Sequence, residues 1–411
     1  MKSSHYLIVL VPLFGLAVWP GLPAQAGEPV TWKHLSTANG DLPVPNTGDQ
    51  QTSSVVFDVD KDGVNDFIIT ERTQAPAVAW YRRGAGGWTK YIVESGPLHI
   101  EAGSDSHDVD GDGDLDFVAG GDWKENRVWW WENPCPDYKE EVPWKRREIK
   151  NSGQPKHHDL IFGDFDGDGR DELVFWNQGA CQLFWTDIPE KPRTTEPWDC
   201  VAIYAWSPDS EMQQRGTYPA FKSINEHEGL AKADIDGDGT LDIIGGGRWF
   251  KHLAGNTFAV NLVDAGYSFS RAAAGQLIEG GRPEIVLVVG DGIAPLMLYE
   301  WQKGIWKPKT ILPEVDNGHS LAVLDFNGDG HLDIFNAEMR LDGGNPDAKN
   351  LILLGDGRGN FTTLQVSSGI GLHESKIADL DGDGDYDILG KPYNWQTPRL
   401  DIWLNLLQPR P

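Results

Sequence analysis

Three cysteines, four methionines and, beyond the first 26 positions, no apolar run long enough to cross a bilayer narrow the reading of this 411-residue chain at once. Cys135, Cys181 and Cys200 permit at most one internal disulfide, which excludes a disulfide-built scaffold. Cys181 with Cys200 is the expected pair because both fall in one repeat; two buried free thiols are the alternative. Basic side chains are scarce, 35 against 62 acidic ones, and the net charge of −27 excludes the basic surface that nucleic acid needs. Helix signals are sparse. The 48 glycines agree with an all-β chain.

One apolar stretch does stand out. Lys2 precedes a run from Tyr6 to Trp19, and Ala24-Gln25-Ala26 supplies a small-x-small cleavage site, so residues 1–26 read as a secretory signal peptide. Gly27 occupies the place where a lipoprotein would need cysteine. The mature chain, 27–411, is expected to be secreted or periplasmic, with no membrane span of its own.

What the chain has in abundance is a nine-residue repeat, D-x-[DN]-x-D-G-x-x-[DE], written six times and each time followed by a short β-branched strand. Its first, third, fifth and ninth positions are Asp58, Asp60, Asp62 and Asp66; Asp108, Asp110, Asp112 and Asp116; Asp164, Asp166, Asp168 and Glu172; Asp234, Asp236, Asp238 and Asp242; Asp325, Asn327, Asp329 and Asp333; Asp379, Asp381, Asp383 and Asp387. Oxygen donors at that spacing, with glycine allowing the turn, suit Ca²⁺. No flanking helices and no Glu at a twelfth position are present, which excludes an EF-hand. A large share of the negative charge is thus ligand inventory, and calcium here would clamp a turn rather than touch a substrate.

A seventh unit, from Ala274 to Glu284, keeps the turn glycines and the following strand but lacks the first three carboxylates, and is expected to form a blade without calcium. Seven units about 42 to 70 residues apart, each with room for four short strands, predict a seven-bladed β-propeller with four-stranded antiparallel blades. The last repeat ends at Arg399–Leu407 without an outer strand. The segment from Val30 has the outer-strand pattern, so it is expected to complete the last blade and close the ring.

This motif resembles the FG-GAP/VCBS repeat family, known from integrin α-subunit propellers and secreted bacterial proteins, across residues 30–405. The propeller also resembles that of aldos-2-ulose dehydratase and, more loosely, the seven-bladed polysaccharide lyases of the ulvan and rhamnose-glucuronate types. That resemblance implies an active site at the central channel, a histidine base and, for the dehydratase, a channel metal. It carries over to the histidines at strand entrances here, and not to the dehydratase's cupin domains, for which the chain has no room.

The repeat serves as a ruler. His158, His319 and His373 sit six residues ahead of a first Asp and His227 seven ahead, at the far end of the innermost strands from the Asp-rich loops. Thr52 and Ala102 hold the equivalent place in the first two blades, so the strand itself does not require His. His157, His99 and His107 are further candidates for the region, and Asp159, Glu226, Glu228 and Glu374 neighbour the four. Converging imidazoles suit Zn²⁺ or another divalent metal, or an acid and base near neutral pH; a bland alternative is that each bonds a neighbouring carbonyl.

The loops between second and third strands open on the same face with Arg72, Trp123, Lys124, Arg248, Trp249, Glu338, Arg340, Lys391, Tyr393 and Trp395 as candidate substrate contacts. Aromatic faces beside cations suit a sugar ring with an acidic or ketonic group. Two classes of function follow. One is a carbohydrate lyase or dehydratase working by β-elimination on a keto-sugar or uronate-containing saccharide. The other is a non-catalytic carbohydrate-binding or adhesion module, and a hydrolase using Glu228 and Glu374 also stays open. The loops differ from blade to blade, which fits one asymmetric site.

Overall fold

The computed structural model describes residues 30–207 and 226–406, so the expected signal peptide lies outside the described residues. Seven four-stranded antiparallel sheets follow one another along the chain. Their first strands are β2 (Gln51–Phe57), β6 (Ile100–His107), β10 (His157–Gly163), β14 (Ala231–Ala233), β18 (Ser270–Gly275), β22 (Ser320–Leu324) and β26 (Lys376–Ala378). Each contacts the first strand of the next blade round the ring, and β26 contacts β2, so these strands line a central channel. Closure is as expected: β1 (Trp32–Ser36) pairs with β28 (Asp401–Asn405), from Trp32 opposite Asn405 to Ser36 opposite Asp401. Among the described residues no helix is long and apolar enough to cross a membrane.

The core is not one body but seven, each between two neighbouring blades. Strand alternation explains the division. In β8 (Val128–Glu132), Trp129 and Trp131 pack with Trp80 of the preceding blade, while Trp130 between them packs with Phe162 and Phe175 of the following one. Burying each such side chain contributes on the order of 3 kcal/mol. The cysteines do not pair; all three are free. Cys181 precedes β12 (Gln182–Asp187) and Cys200 precedes β13 (Val201–Ala205), and these antiparallel neighbours start from opposite faces, about 17 Å apart at the strand rise.

The ninth residue of the repeat has a second task that the motif hides. Asp116, Asp242, Asp333, Asp387 and Glu172 each accept the N–H of the repeat's second residue, from Val109, Ile235, Phe326, Leu380 and Phe165 respectively, at 2.7–3.2 Å. The other oxygen of Asp116, Asp333 and Asp387 accepts from Asn133, Gly355 and Asn405 on the third-strand side, and Asp66 takes Trp80 Nε1 and Arg83 N. Glu284 does the same for Leu277 and Ile278, both at 2.9 Å, in the one unit without the other carboxylates. The ninth carboxylate is therefore a staple between loop and sheet, independent of any ion. Glu284→Ala, which leaves Ile278 N–H without its carboxylate acceptor and Leu277 N–H with Gly275 O alone, should lose about 1–3 kcal/mol in urea unfolding, equally with and without Ca²⁺. Glu284→Gln should lose clearly less.

Candidate functional site

All the second-to-third-strand loops do open on the face where the inner strands begin, and a cavity of about 170 Å³ lies there at the channel mouth. Strict alternation would let only one of two successive residues face the axis. At the start of β10 a bulge between His158 and Leu160, with Asp159 at φ 46°, turns both His158 and Asp159 inward. Glu374, beside His373, has φ 52° for the same purpose. These left-handed conformations are costly for residues other than glycine and persist where the surrounding contacts hold them.

Three of the four predicted histidines meet. His158 Nδ1 lies 2.6 Å from Asp159 Oδ2 and its Nε2 3.4 Å from Glu228 Oε2. On the other side of that carboxylate, His319 Nε2 is 3.8 Å from Glu228 Oε1 and 3.9 Å from Asp291 Oδ1. His373 stacks on His319 with ring centroids 4.2 Å apart, and on Tyr393 at 4.8 Å. Gly290 makes room for this: a Cβ there would stand 2.0 Å from Glu228 Oε1. His227 is the exception. It stacks on Trp206 at 3.9 Å and packs on Trp176, because it lies one residue off the inward-facing register that Glu226 and Glu228 occupy. His157 is held by Lys150 and Asn177, His99 by Asp122, and His107 by Asp171 on the Asp-loop side, all away from the cavity lining.

Of the predicted loop contacts, Arg72, Trp123 and Tyr393 line the cavity. Arg72 is hydrogen-bonded to Glu101 and lies over Trp123 (4.9 Å) and under Tyr393 (5.6 Å). Seven others do not line it, each for a physical reason. Trp249 belongs to the core between two blades. Arg248 turns back onto Gly246 O and Tyr204. Glu338 caps its loop by accepting from Asp316, Lys349 and Asn345. Arg340 binds the carbonyls of Gly343, Gly344 and Gly369 under Trp395. Lys124 leans on the outer side of Trp123. Lys391 is wholly buried on the carbonyls of Gln51, Thr52 and His373 and on His373 Nδ1.

Sequence reasoning missed Glu101, Lys156, Gln178 and Asp291, which line the cavity, and Arg271 beneath it. Arg271 Nη2 lies 2.7 Å from both Asp159 Oδ1 and Glu374 Oε1, joining three blades. The only signal for it was a charged residue in an inner strand of small side chains.

Electrostatics drives the imidazoles of His158 and His319 apart. Burial alone would lower the pKa of His158, but Asp159, Glu228 and Glu101 outweigh it and raise it to about 9. Burial and then Arg271 depress His319 to about 3. Burial pushes Glu228 up to about 8 despite His158 and Arg271. Near neutral pH the site thus holds a charged imidazole at His158, neutral imidazoles at His319 and His373, and a protonated carboxyl at Glu228. It does not suit a transition metal. His319 and His373 present stacked faces, His373 Nδ1 faces Lys391 Nζ and His158 Nδ1 faces Asp159. Among the described residues, groups of three or more metal-type donors lie in the Asp-rich loops: at Asp58, Asp108, Asp164, Asp234 and Asp379.

The FG-GAP-like repeat family matches residues 108–175, 164–245 and 281–335. No curated protein matches the chain. Among solved structures it is similar to BBS1N from a complex with ARL6DN (11% identity, TM-score 0.48, 92% of this chain and 97% of that one). It is also similar to a mutant of AofleA from Arthrobotrys oligospora (12%, 0.43, 82% and 91%) and to the V. cholerae biofilm matrix protein Bap1 (11%, 0.38, 87% and 68%).

The charged His158 has a measurable consequence. Its folded pKa, about 9, lies above the ordinary 6.5, so the stability it contributes is complete below pH 6.5 and is lost as pH rises through 9. Urea unfolding of His158→Asn should therefore fall furthest below the parent at pH 6 and approach it near pH 9. A constant gap would mean that His158 titrates alike in the folded and unfolded chain, and a gap that widens as pH rises would mean a neutral folded His158.

Proposed function

From a chain of FG-GAP-like repeats closed into a seven-bladed propeller, we propose an exported, calcium-stabilised enzyme that dehydrates a keto-sugar by β-elimination at one channel mouth. The observation that carries this reading is the placement of His158 and His319 on either side of Glu228, facing one cavity walled by Trp123 and Tyr393. β-Elimination needs a neutral base, a proton donor and a group to hold an enolate. His319 is the base that takes the proton next to the ketone. As the double bond forms, the leaving hydroxyl accepts a proton from His158 or Glu228 and departs as water. Arg72 is the guanidinium among the lining residues and would hold the enolate oxygen.

The charges favour a neutral keto-sugar over a uronate. Arg72 is already paired with Glu101, and Lys156 is 2.5 Å from Glu226, so the lining offers no unpaired guanidinium or ammonium for a substrate carboxylate. With a panel of 2-keto and 3-keto sugars, the protein should produce the absorbance of a conjugated enone. His319→Gln should lose about 100-fold or more with an unchanged circular dichroism spectrum. The rate should fall as pH rises through about 8 to 9, where Glu228 and His158 lose their protons. Silence across the panel, or undiminished rates in both His158→Gln and His319→Gln, would sink this reading. Sugar binding without turnover would favour the carbohydrate-binding alternative, for which the half-exposed Trp123 speaks.

The Asp-rich loops fit calcium by their donor set. In four of them buried carboxylate oxygens at the third position, on Asp60, Asp110, Asp236 and Asp381, make no hydrogen bond. At Asp60, Asp110 and Asp236 a cation already leans in, Arg82 on the first, Arg193 at 2.7 Å and Lys251 at 2.5 Å on the others, and calcium would have to displace it. Chelator-treated protein should gain stability on adding Ca²⁺, by about 2.7 kcal/mol at a hundred times the dissociation constant. An unfolding midpoint that ignores Ca²⁺ would rule calcium out.

A further inference from the structure

We propose that the Asp-rich loops are not equivalent calcium sites: in five blades the chain supplies its own cation or amide, and only the loops at Asp164 and Asp379 are left as high-affinity sites. The inference rests on the calcium reading of these loops and not on the chemistry at the channel mouth. Lys251 in β16 (Arg248–Ala254) follows Phe250, the partner of Ile243, and so stands opposite the ninth carboxylate, Asp242. From there its Nζ lies 2.5 Å from Asp236 and 2.6 Å from Asp238, the third and fifth positions. Arg82 in β4 (Val78–Gly84) holds the same place, one past Tyr81, the partner of Phe67, and pairs with Asp60. In the second blade the facing residue is Glu132, and the cation comes from the third blade instead. Arg193 Nη2 lies 2.7 Å from Asp110 and 2.6 Å from Asp112, with Nε 2.8 Å from Glu132. The side chains of Asp60 and Asp110 are only 3% and 1% exposed, and an unpaired charge there is costly.

Two more loops use an amide. Asn327 takes the third position in the sixth blade, and its Nδ2 donates to Asp329 Oδ2 at 3.0 Å. In the fifth blade Gln276 takes the first position and donates Nε2 to the carbonyls of Ile278 and Gly280. The third and seventh blades differ. Opposite Glu172 stands Asp187, another carboxylate, and opposite Asp387, by continuation of the pair Ile388 with Trp403, stands Leu404. Neither can neutralise its loop. Arg170 pairs with Asp168 on the solvent side and is 71% exposed, so that contact weighs little. Asp164, Asp166, Asp168 and Glu172 bring four donor atoms within 4.8 Å of one another, and Asp379, Asp381 and Asp387 bring three. Asp381 Oδ1 is buried and makes no hydrogen bond. A dication suits both sets, and no buried ion pair has to break before it enters.

Calorimetric titration of the full, chelator-treated chain with Ca²⁺ should show two ions bound about 10-fold or more tighter than the rest. Asp166→Asn and Asp381→Asn should each remove one ion from that tight class. Lys251→Met, which keeps the stem and removes the charge, should tighten its own loop by about 5-fold or more. In urea unfolding the same variant should lose stability in chelator and match the parent at saturating Ca²⁺, where the ion takes the place of the ammonium. A lysine serving only as a surface ion pair would cost the same in both conditions. That result, or a single affinity for all bound ions, would overturn the proposal and leave the calcium reading intact; no Ca²⁺ bound at all would overturn both. The parent titration decides even if a variant fails to fold. Because no sugar is used, a silent sugar panel is a separate outcome.

Discussion

A guanidinium and two carboxylates are buried on the axis of the ring, and the arrangement of every inner strand has to respect them. Removing one partner of such a set typically costs about 3–5 kcal/mol, because the remaining charge is left in a poorly solvating place. Asp159 comes from the third blade, Arg271 from the fifth and Glu374 from the seventh, so the charges tie together blades that never pack against one another. The apolar cores, by contrast, join only neighbours. Neighbour packing sets the curvature of the ring, and the ion pairs set what its centre does.

The repeat divides its labour in a similar way. Its acidic positions surround a space suited to an ion, the ninth among them in three of the five loops, and the ninth also holds the turn to the sheet through main-chain N–H groups. Glu284 separates the two tasks, since its unit keeps the staple and has lost the rest. A blade can therefore form without an ion. The ions, where bound, would relieve repulsion among carboxylates that the fold has already gathered.

Much of the fold was legible because it is written by period. Strand alternation, the turn glycines and the loop spacing gave seven blades, the degenerate fifth blade and the closing strand at Trp32–Ser36. The site was legible only in part. Counting back from the first Asp found His158, His319 and His373, but a one-residue offset sent His227 into an aromatic pocket. Loop residues were harder still, because side-chain direction in an irregular loop has no period. Trp249 and Lys391 look like ligand contacts by type, yet one completes a core and the other answers buried carbonyls. Arg271 was invisible for the opposite reason: its partners lie 112 and 103 residues away in the chain, and only closure of the ring brings them to it.

The same closure decides how many sites such a molecule has. Arg72, Trp123, His158, Glu228, His319 and Tyr393 come from six different stretches of chain, one from each of six blades. No blade carries enough of the set to act alone, and the ring has one mouth of this kind, so repetition of the blade does not repeat the site. A lectin built on equivalent blades would place its contacts at matching positions of each. Here the matching positions hold Thr52, Ala102, His158, His319 and His373, and they differ from blade to blade. The repeat builds a frame whose centre it leaves unspecified, and differences at strand entrances and loops gather there into one asymmetric cluster of histidines, carboxylates and aromatic rings.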